Sequence, residues 1–155
     1  MAVKEILQFG DKRLKRVSQK VINIDKEIID IVKDMKDTLY STTGIGLAAP
    51  QIGVLKRIIL IDLRDGSEPI ILLNPRIAAK MGTTVGTEGC LSYVNYEGEV
   101  ARPRKVTVQG ITLKGEGVEY TAEELLARAF CHEIDHLDGI LYVDRAKKVY
   151  KLEEE

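Results

Sequence analysis

One short segment, His132-Glu133-Ile134-Asp135-His136, constrains this chain more than any other part of the sequence. It lies in a helix that we predict from about Ala122 to Asp138. Residues four apart on a helix differ by about 40° in direction and by one turn in height, so both imidazoles leave the same face and can reach one metal ion. Glu133 lies beside that face, where its carboxylate can take a proton from water at the metal. The chain has only these two histidines, which argues against chance placement on an ordinary amphipathic helix.

Both ends of this helix carry recognisable signals. Thr121 and Glu124 fit a capping box, in which the hydroxyl and the carboxylate each satisfy an orphan N–H of the first turn. Gly139 stands where a left-handed residue commonly ends a helix.

A second, N-terminal helix is predicted from about Asp25 to Ser41. Its apolar residues recur at three- and four-residue spacing and form one stripe. Asp25 is a plausible N-cap and Gly44 a plausible stop. The stripe consists of Ile28, Ile31, Val32, Met35 and Leu39.

The segments between the two helices have the composition of β-strands, which favours an α+β fold with mostly antiparallel pairing. The stretch from Lys114 to Gly117 is typical of a hairpin turn, and Gly110 suggests a bend in the strand before it. The predicted strands are 57–63, 70–73, residues around Val106, Val108, Ile111 and Leu113, 118–120, and 141–143.

A catalytic metal site of this kind needs a third protein ligand and an open position for water. The candidates are a Cys, an Asp or a Glu elsewhere in the chain. Cys131 points about 100° away from the ligand face. Cys90 lies in a small, polar, glycine-containing segment that can approach an ion closely, so we favour it over the alternative of a buried apolar thiol. Two cysteines do not make a disulfide framework.

The segment from Gly44 to Gly53 contains G-x-G-x-x-A, which superficially matches a dinucleotide-binding motif. That motif follows a strand and opens a helix, whereas this one follows a predicted helix and contains Pro50. Two glycines instead suit a backbone that approaches a ligand closely. Gln51 adds an amide donor to the segment.

Length and composition limit the remaining possibilities. A chain of 155 residues is predicted to form one domain over 1–155. A net charge of −1 disfavours binding to nucleic acid by bulk charge. No apolar run approaches the roughly 20 residues of a membrane span, and no signal peptide is evident, so a cytoplasmic location is expected. The charged end 151–155 is predicted to be frayed.

Three segments, in order, resemble the motifs of the peptide deformylase family: Gly44–Gly53, Glu88–Ser92 and His132–His136. The resemblance covers nearly the whole chain. It implies antiparallel sheets packed around a C-terminal helix that carries the histidines, with an N-terminal helix. It also implies removal of the N-formyl group from the initiator methionine of nascent polypeptides, with contact to the ribosome left open.

The resemblance further implies individual roles. Cys90, His132 and His136 would bind the metal, and Glu133 would be the acid and base. Gln51 and the Leu91 N–H would hold the formyl oxygen, and Glu88 with Arg102 would brace the ligands. The ion would be Fe²⁺, with Zn²⁺, Ni²⁺ or Co²⁺ able to replace it in purified protein. The substrate would contact Ile45, Gly46, Gly89, Leu125 and Ala129.

Four positions depart from the commonest family pattern. Tyr93 and Val94 follow the motif serine, where many members have a proline at the second of these positions. Glu97 stands on the rim where some members have a basic residue, and Cys131 replaces a common Gln. Arg128 stands where some members have an apolar pocket residue, although its methylene stem can line a wall.

Three other functions compete with this one. A zinc endopeptidase could use the same helix, but it would need a distal His or acidic ligand, and no third His exists. A hydrolase could use Cys90 as a nucleophile. A purely structural metal site is disfavoured because such sites usually have four protein ligands.

Overall fold

The computed structural model describes residues 2–152. Its helices are α1 (Lys26–Tyr40), α2 (Glu124–Leu137) and the one-turn α3 (Tyr142–Arg145), and two 3₁₀ helices span Lys12–Lys15 and Ala49–Ile52. The predicted N-terminal and C-terminal helices are thus both present.

Five strands form the larger sheet, in the order β1-β2-β3-β6-β7, and every pair in it is antiparallel. The strands are β1 (Gly46–Ala48), β2 (Ile58–Ile61), β3 (Ile70–Met81), β6 (Lys105–Ile111) and β7 (Gly117–Glu123).

The smaller sheet has the order β4-β5-β8 and is also antiparallel. It consists of β4 (Thr84–Cys90), β5 (Tyr93–Arg102) and β8 (Lys148–Lys151). Since β4 ends at Cys90, a tight connection at Leu91 and Ser92 leads directly into β5.

The part of the larger sheet around β2 lies between the two long helices, so both faces of β2 are buried. Ile59 and Ile61 of β2 pack in the cluster that contains Phe130 of α2, while Ile58 and Leu60 pack in the cluster of α1. This arrangement explains the continuous apolar run of β2, because a strand covered on both faces has no polar side to alternate with. The fold class is therefore confirmed as α+β, with antiparallel sheets packed on α2.

Helix α1 agrees with its prediction except at its end. The Asp25 side chain accepts a hydrogen bond from the Ile28 N–H at 3.1 Å, as an N-cap does. Gly44 is not the stop: the helix ends at Tyr40, where the Ser41 and Thr42 hydroxyls donate to carbonyls of the last turn, both at 2.7 Å. Hydroxyl groups thus satisfy the terminal carbonyls that a glycine cap was expected to serve.

The start of α2 was placed too early, and the predicted capping box is wrong. Thr121 is paired with β6 as part of β7, so its backbone stays extended and cannot cap a helix. The chain turns at Glu124, which has a φ of 53° and donates its N–H to the Arg104 carbonyl at 2.9 Å. The other end is as predicted, since Gly139 has a φ of 73°.

Two further predictions about the strands are wrong. β6 pairs without interruption through Gly110, where a Cβ would lie 3.2 Å from the Leu72 side chain, so this glycine provides space rather than a bend. The segment Leu141–Val143 is not a strand, because α3 starts at Tyr142 and the Asp144 carboxylate accepts from the Leu141 N–H at 2.9 Å.

The C-terminal end is more ordered than expected. Lys151, predicted to be frayed, lies in β8, and the Leu152 N–H donates to the Asn95 carbonyl at 2.8 Å. The rest of the predicted frayed end, residues 153–155, lies outside the described residues. Within residues 2–152, no helix is both long and apolar enough to cross a membrane.

Candidate active site

The end of β4 and the inner face of α2 bring three metal-binding side chains together. One ligand atom from each of Cys90, His132 and His136 can be chosen so that all three lie within 4.8 Å of one another. The Cys90 Sγ lies 3.4 Å from the His136 Nε2. Cys131 is outside this cluster, and burial raises the pKa of its thiol to about 11. One thiolate and two imidazoles suit a borderline-soft divalent cation.

Glu88 fixes the orientation of His132. Its Oε1 lies 2.9 Å from the His132 Nδ1, so a proton on Nδ1 is held by the carboxylate and Nε2 remains available for a metal. Arg102 binds the same carboxylate through two hydrogen bonds of 2.9 Å each. Burial favours the neutral acid, but the hydrogen bonds from Arg102 and His132 outweigh it and hold the pKa of Glu88 well below its usual value.

The two histidines are buried in opposite electrostatic settings. Burial opposes protonation of His132, yet the charge of Glu133 and the contacts to Cys90 and Glu88 outweigh it and raise its pKa. For His136, burial and the charges of His132 and Arg102 lower the pKa. A histidine nitrogen binds a metal only when it carries no proton. A bound cation would therefore displace any proton from the ligating nitrogen of either ring.

A second carboxylate extends this network away from the ligands. Asp135 accepts a hydrogen bond of 2.5 Å from Arg102 and bonds of 2.6 and 3.1 Å from Arg145 of α3. The buried Arg102 therefore bridges two carboxylates, which offsets the cost of removing its charge from water.

Glu133 is buried beside the ligands, and its Oε1 has no hydrogen-bond partner among the described residues. Burial raises its pKa to about 7, against the opposing charge of His132. A carboxyl group with a pKa near neutrality is suited to both accepting and returning a proton. Gly46 makes room for it, since a Cβ there would overlap Oε2 and lie 3.0 Å from the carboxyl carbon.

Gln51 is oriented by its own backbone neighbourhood. Its Oε1 accepts the Ala48 N–H at 2.9 Å, which directs Nε2 toward the ligands. That nitrogen donates to the Ser92 Oγ at 3.1 Å and lies 3.5 Å from the Cys90 Sγ. The amide therefore presents an N–H donor next to the three metal-binding atoms.

A cavity of about 290 Å³ opens onto these groups. Gln51, Glu88, Cys90, Leu91, His132 and Glu133 line it, together with the predicted substrate-binding residues Ile45, Gly46, Gly89, Leu125 and Ala129. His136 and Arg102 are not among the residues that line the cavity. His136 contacts Cys90, and Arg102 contacts Glu88.

The sequence patterns mark no role for Asp135, Ser92 or Arg145, and they predict for Arg128 only a place in the pocket wall. Asp135 carried a usable signal, because it lies three residues after His132 on the same side of α2. Arg145 carried none, because its contact depends on how α3 packs against α2.

The comparisons with known proteins agree with this geometry. A model of the polypeptide deformylase family matches residues 3–152. Over 155 residues the chain is 51% identical to peptide deformylase 2 of Clostridium perfringens, with 99% of each chain covered.

Solved structures have the same fold. A peptide deformylase from Legionella pneumophila superposes with a TM-score of 0.91 at 41% identity, covering 94% of this chain and 87% of that one. A peptide deformylase from Synechococcus elongatus, crystallised in complex with actinonin, gives a TM-score of 0.89 at 38% identity, with 94% and 79% covered.

Proposed function

This chain belongs to the polypeptide deformylase family, and we propose that Cys90, His132 and His136 hold the divalent metal ion that its reaction requires. The chain is a metal-dependent hydrolase that removes the N-formyl group from the N-terminal methionine of newly made polypeptides and releases formate. The observation that carries the ligand assignment is the convergence of these three donors, with His132 anchored through Glu88.

The residues fit a catalytic rather than a structural ion. Three protein donors leave a position open for water or substrate, and they face a cavity. A divalent cation held there would act as a Lewis acid and lower the pKa of water to about 7.

Protein groups then complete the reaction. Glu133 takes the proton of the attacking water and returns it to the amine that leaves. The Gln51 Nε2–H and the Leu91 N–H donate to the formyl oxygen as negative charge develops on it. Gly46 and Gly89 let the backbone approach the formyl group closely, so that larger acyl groups are excluded.

The methionine side chain enters the cavity between β1, β4 and α2. Ile45, Leu125 and Ala129 contribute its apolar lining. Apolar walls with few polar groups are typical of a site for a thioether side chain. The substrate class is nascent formylated polypeptides. A single catalytic domain over 1–155 meets them in the cytoplasm.

One alternative has support in the geometry. The 3.4 Å separation of the Cys90 Sγ and the His136 Nε2 also suits a thiolate nucleophile activated by an imidazole. Such an enzyme would work without a metal.

The decisive experiment is anaerobic turnover of a formyl-Met peptide and of its unformylated counterpart, with metal analysis of the same sample. We expect about one metal ion per chain, formate release from the formylated peptide only, and loss of both metal and activity in Cys90→Ala. Full activity after chelation would favour the cysteine nucleophile, and cleavage of the unformylated peptide would favour an endopeptidase.

We infer that the physiological ion is Fe²⁺, as the resemblance to the family implies, and we predict that activity decays in air. Cys90 is only half-buried, so O₂ can reach both the ion and the sulfur. Nickel in the same donors should retain Lewis acidity without easy oxidation. Half-lives in air are compared between iron- and nickel-loaded enzyme, with mass analysis of the Cys90 peptide. Equal half-lives would reject oxidation as the cause, and zinc as the most active form would reject iron.

A further inference from the structure

Arg128 stands out because its buried charge contacts the substrate cavity and the carboxylate that anchors a metal ligand. Its Nη1 donates to the Glu88 Oε2 at 2.6 Å and to the Val100 carbonyl at 3.0 Å. Its Nη2 donates to the Thr84 carbonyl at 3.0 Å. The side chain is only 11% exposed, and it also lines the cavity.

These bonds hold the guanidinium in one place. Two acceptors are backbone carbonyls on two neighbouring strands, β4 and β5, and the third is a carboxylate. A lysine has one nitrogen and could not serve all three acceptors in this fork. Arg128 thus ties α2 to the smaller sheet directly beside the reacting centre.

Glu88 connects this arginine to the metal ligands. Its Oε2 accepts from both Arg102 and Arg128, while its Oε1 accepts from Arg102 and faces the His132 Nδ1. Among the described residues, loss of Arg128 would leave Arg102 as the single donor to the Glu88 Oε2. The carboxylate, and with it the His132 ring, would then have more freedom to rotate.

Gly86 leaves free the space that the Arg128 guanidinium occupies. A Cβ at position 86 would lie 3.0 Å from the Arg128 guanidinium carbon and 3.0 Å from its Nη2. Such contacts are shorter than ordinary van der Waals separations, so any side chain there would push the guanidinium. The guanidinium therefore occupies the space over β4 that a larger residue at position 86 would fill.

From these contacts we infer that Arg128 is a positioning residue: it orients His132 through Glu88, and it does so from the space that Gly86 leaves free. The inference rests on the ligand set proposed above.

The test uses Arg128→Ala, Arg128→Lys, Gly86→Ala and the double variant Gly86→Ala/Arg128→Ala. Arg76→Leu is the matched control, because Arg76 is exposed on β3 and donates to Gln109. For each full-length variant, Co²⁺ affinity is measured by competition with a chelator, together with the Co²⁺ absorption spectrum.

Arg128→Ala should weaken Co²⁺ binding about 10- to 100-fold and change the spectrum, as loss of a residue that supports a metal ligand does. Arg128→Lys should recover part of the Co²⁺ affinity. Arg76→Leu should alter neither the Co²⁺ affinity nor the Co²⁺ spectrum.

Gly86→Ala should weaken Co²⁺ binding in the wild-type background but not when Arg128 is already alanine, because the space is then empty. Additive effects, or a Co²⁺ affinity within twofold of wild type in Arg128→Ala, would overturn the inference. Cys90→Ala is measured in parallel: if it retained Co²⁺, the ligand set would be wrong, whereas loss of Co²⁺ from Cys90→Ala together with wild-type affinity in Arg128→Ala would overturn the role of Arg128 alone.

Discussion

Glu133→Gln is expected to retain the metal and to lose deformylation by about 10²–10⁴-fold or more, the range typical of a general acid–base residue. The amide has the same size but cannot accept the proton of the attacking water. Glu133 is buried with one carboxylate oxygen free of partners among the described residues. Glu88, the other carboxylate that lines the cavity, is held by Arg102 and His132, so we do not expect it to replace Glu133. Metal content and kcat on a formyl-Met peptide provide the measurement. Near-normal turnover in a metal-loaded variant would remove Glu133 from the mechanism.

Gly46→Ala tests the same Glu133 carboxylate by moving it instead of replacing it. The added Cβ would overlap Oε2, so the carboxylate is displaced rather than removed, and kcat should fall while the metal remains. Gly66→Ala is the glycine control, because a Cβ at position 66 would meet no atom within 4 Å. Since Gly66 has a φ of 90°, we expect this variant to lose stability without any displacement of Glu133. Comparing kcat at equal metal content separates displacement of the base from loss of stability.

The sequence predicted the chemistry of this site better than its supporting contacts. His132, Glu133 and His136 follow from helical periodicity, which places residues four apart on one face whatever the rest of the fold does. Cys90 was favoured from its local composition and placed with the ligands by resemblance. Each of these signals is local or is carried by a short motif.

Contacts between segments that are distant in the sequence are not marked by any local sequence pattern. The interaction of Arg145 with Asp135 depends on the packing of α3, which was predicted as a strand. The space over Gly86 is visible only once β4 and α2 are placed together. The start of α2 was also misplaced, because pairing of Thr121 with β6 overrides its local capping preference.

The predicted role of Gln51 is the donor to the formyl oxygen, and it leads to a distinct kinetic result. Its Nε2 is directed by the Ala48 N–H to lie near the Cys90 Sγ. A donor that acts on developing charge contributes mainly in the transition state. Gln51→Ala should therefore lower kcat about 10²–10³-fold, with a much smaller change in the affinity for a non-reactive peptide.

Ser92→Ala is the matched control for this donor. It removes the hydroxyl that accepts from the Gln51 Nε2 at 3.1 Å but leaves the amide and its bond to Ala48 in place. We expect a smaller loss of kcat in Ser92→Ala than in Gln51→Ala, with metal content unchanged in both. If Gln51→Ala instead lost kcat/KM and affinity for the non-reactive peptide by equal factors, Gln51 would hold the substrate without stabilising the transition state, because uniform binding lowers KM and leaves kcat unchanged.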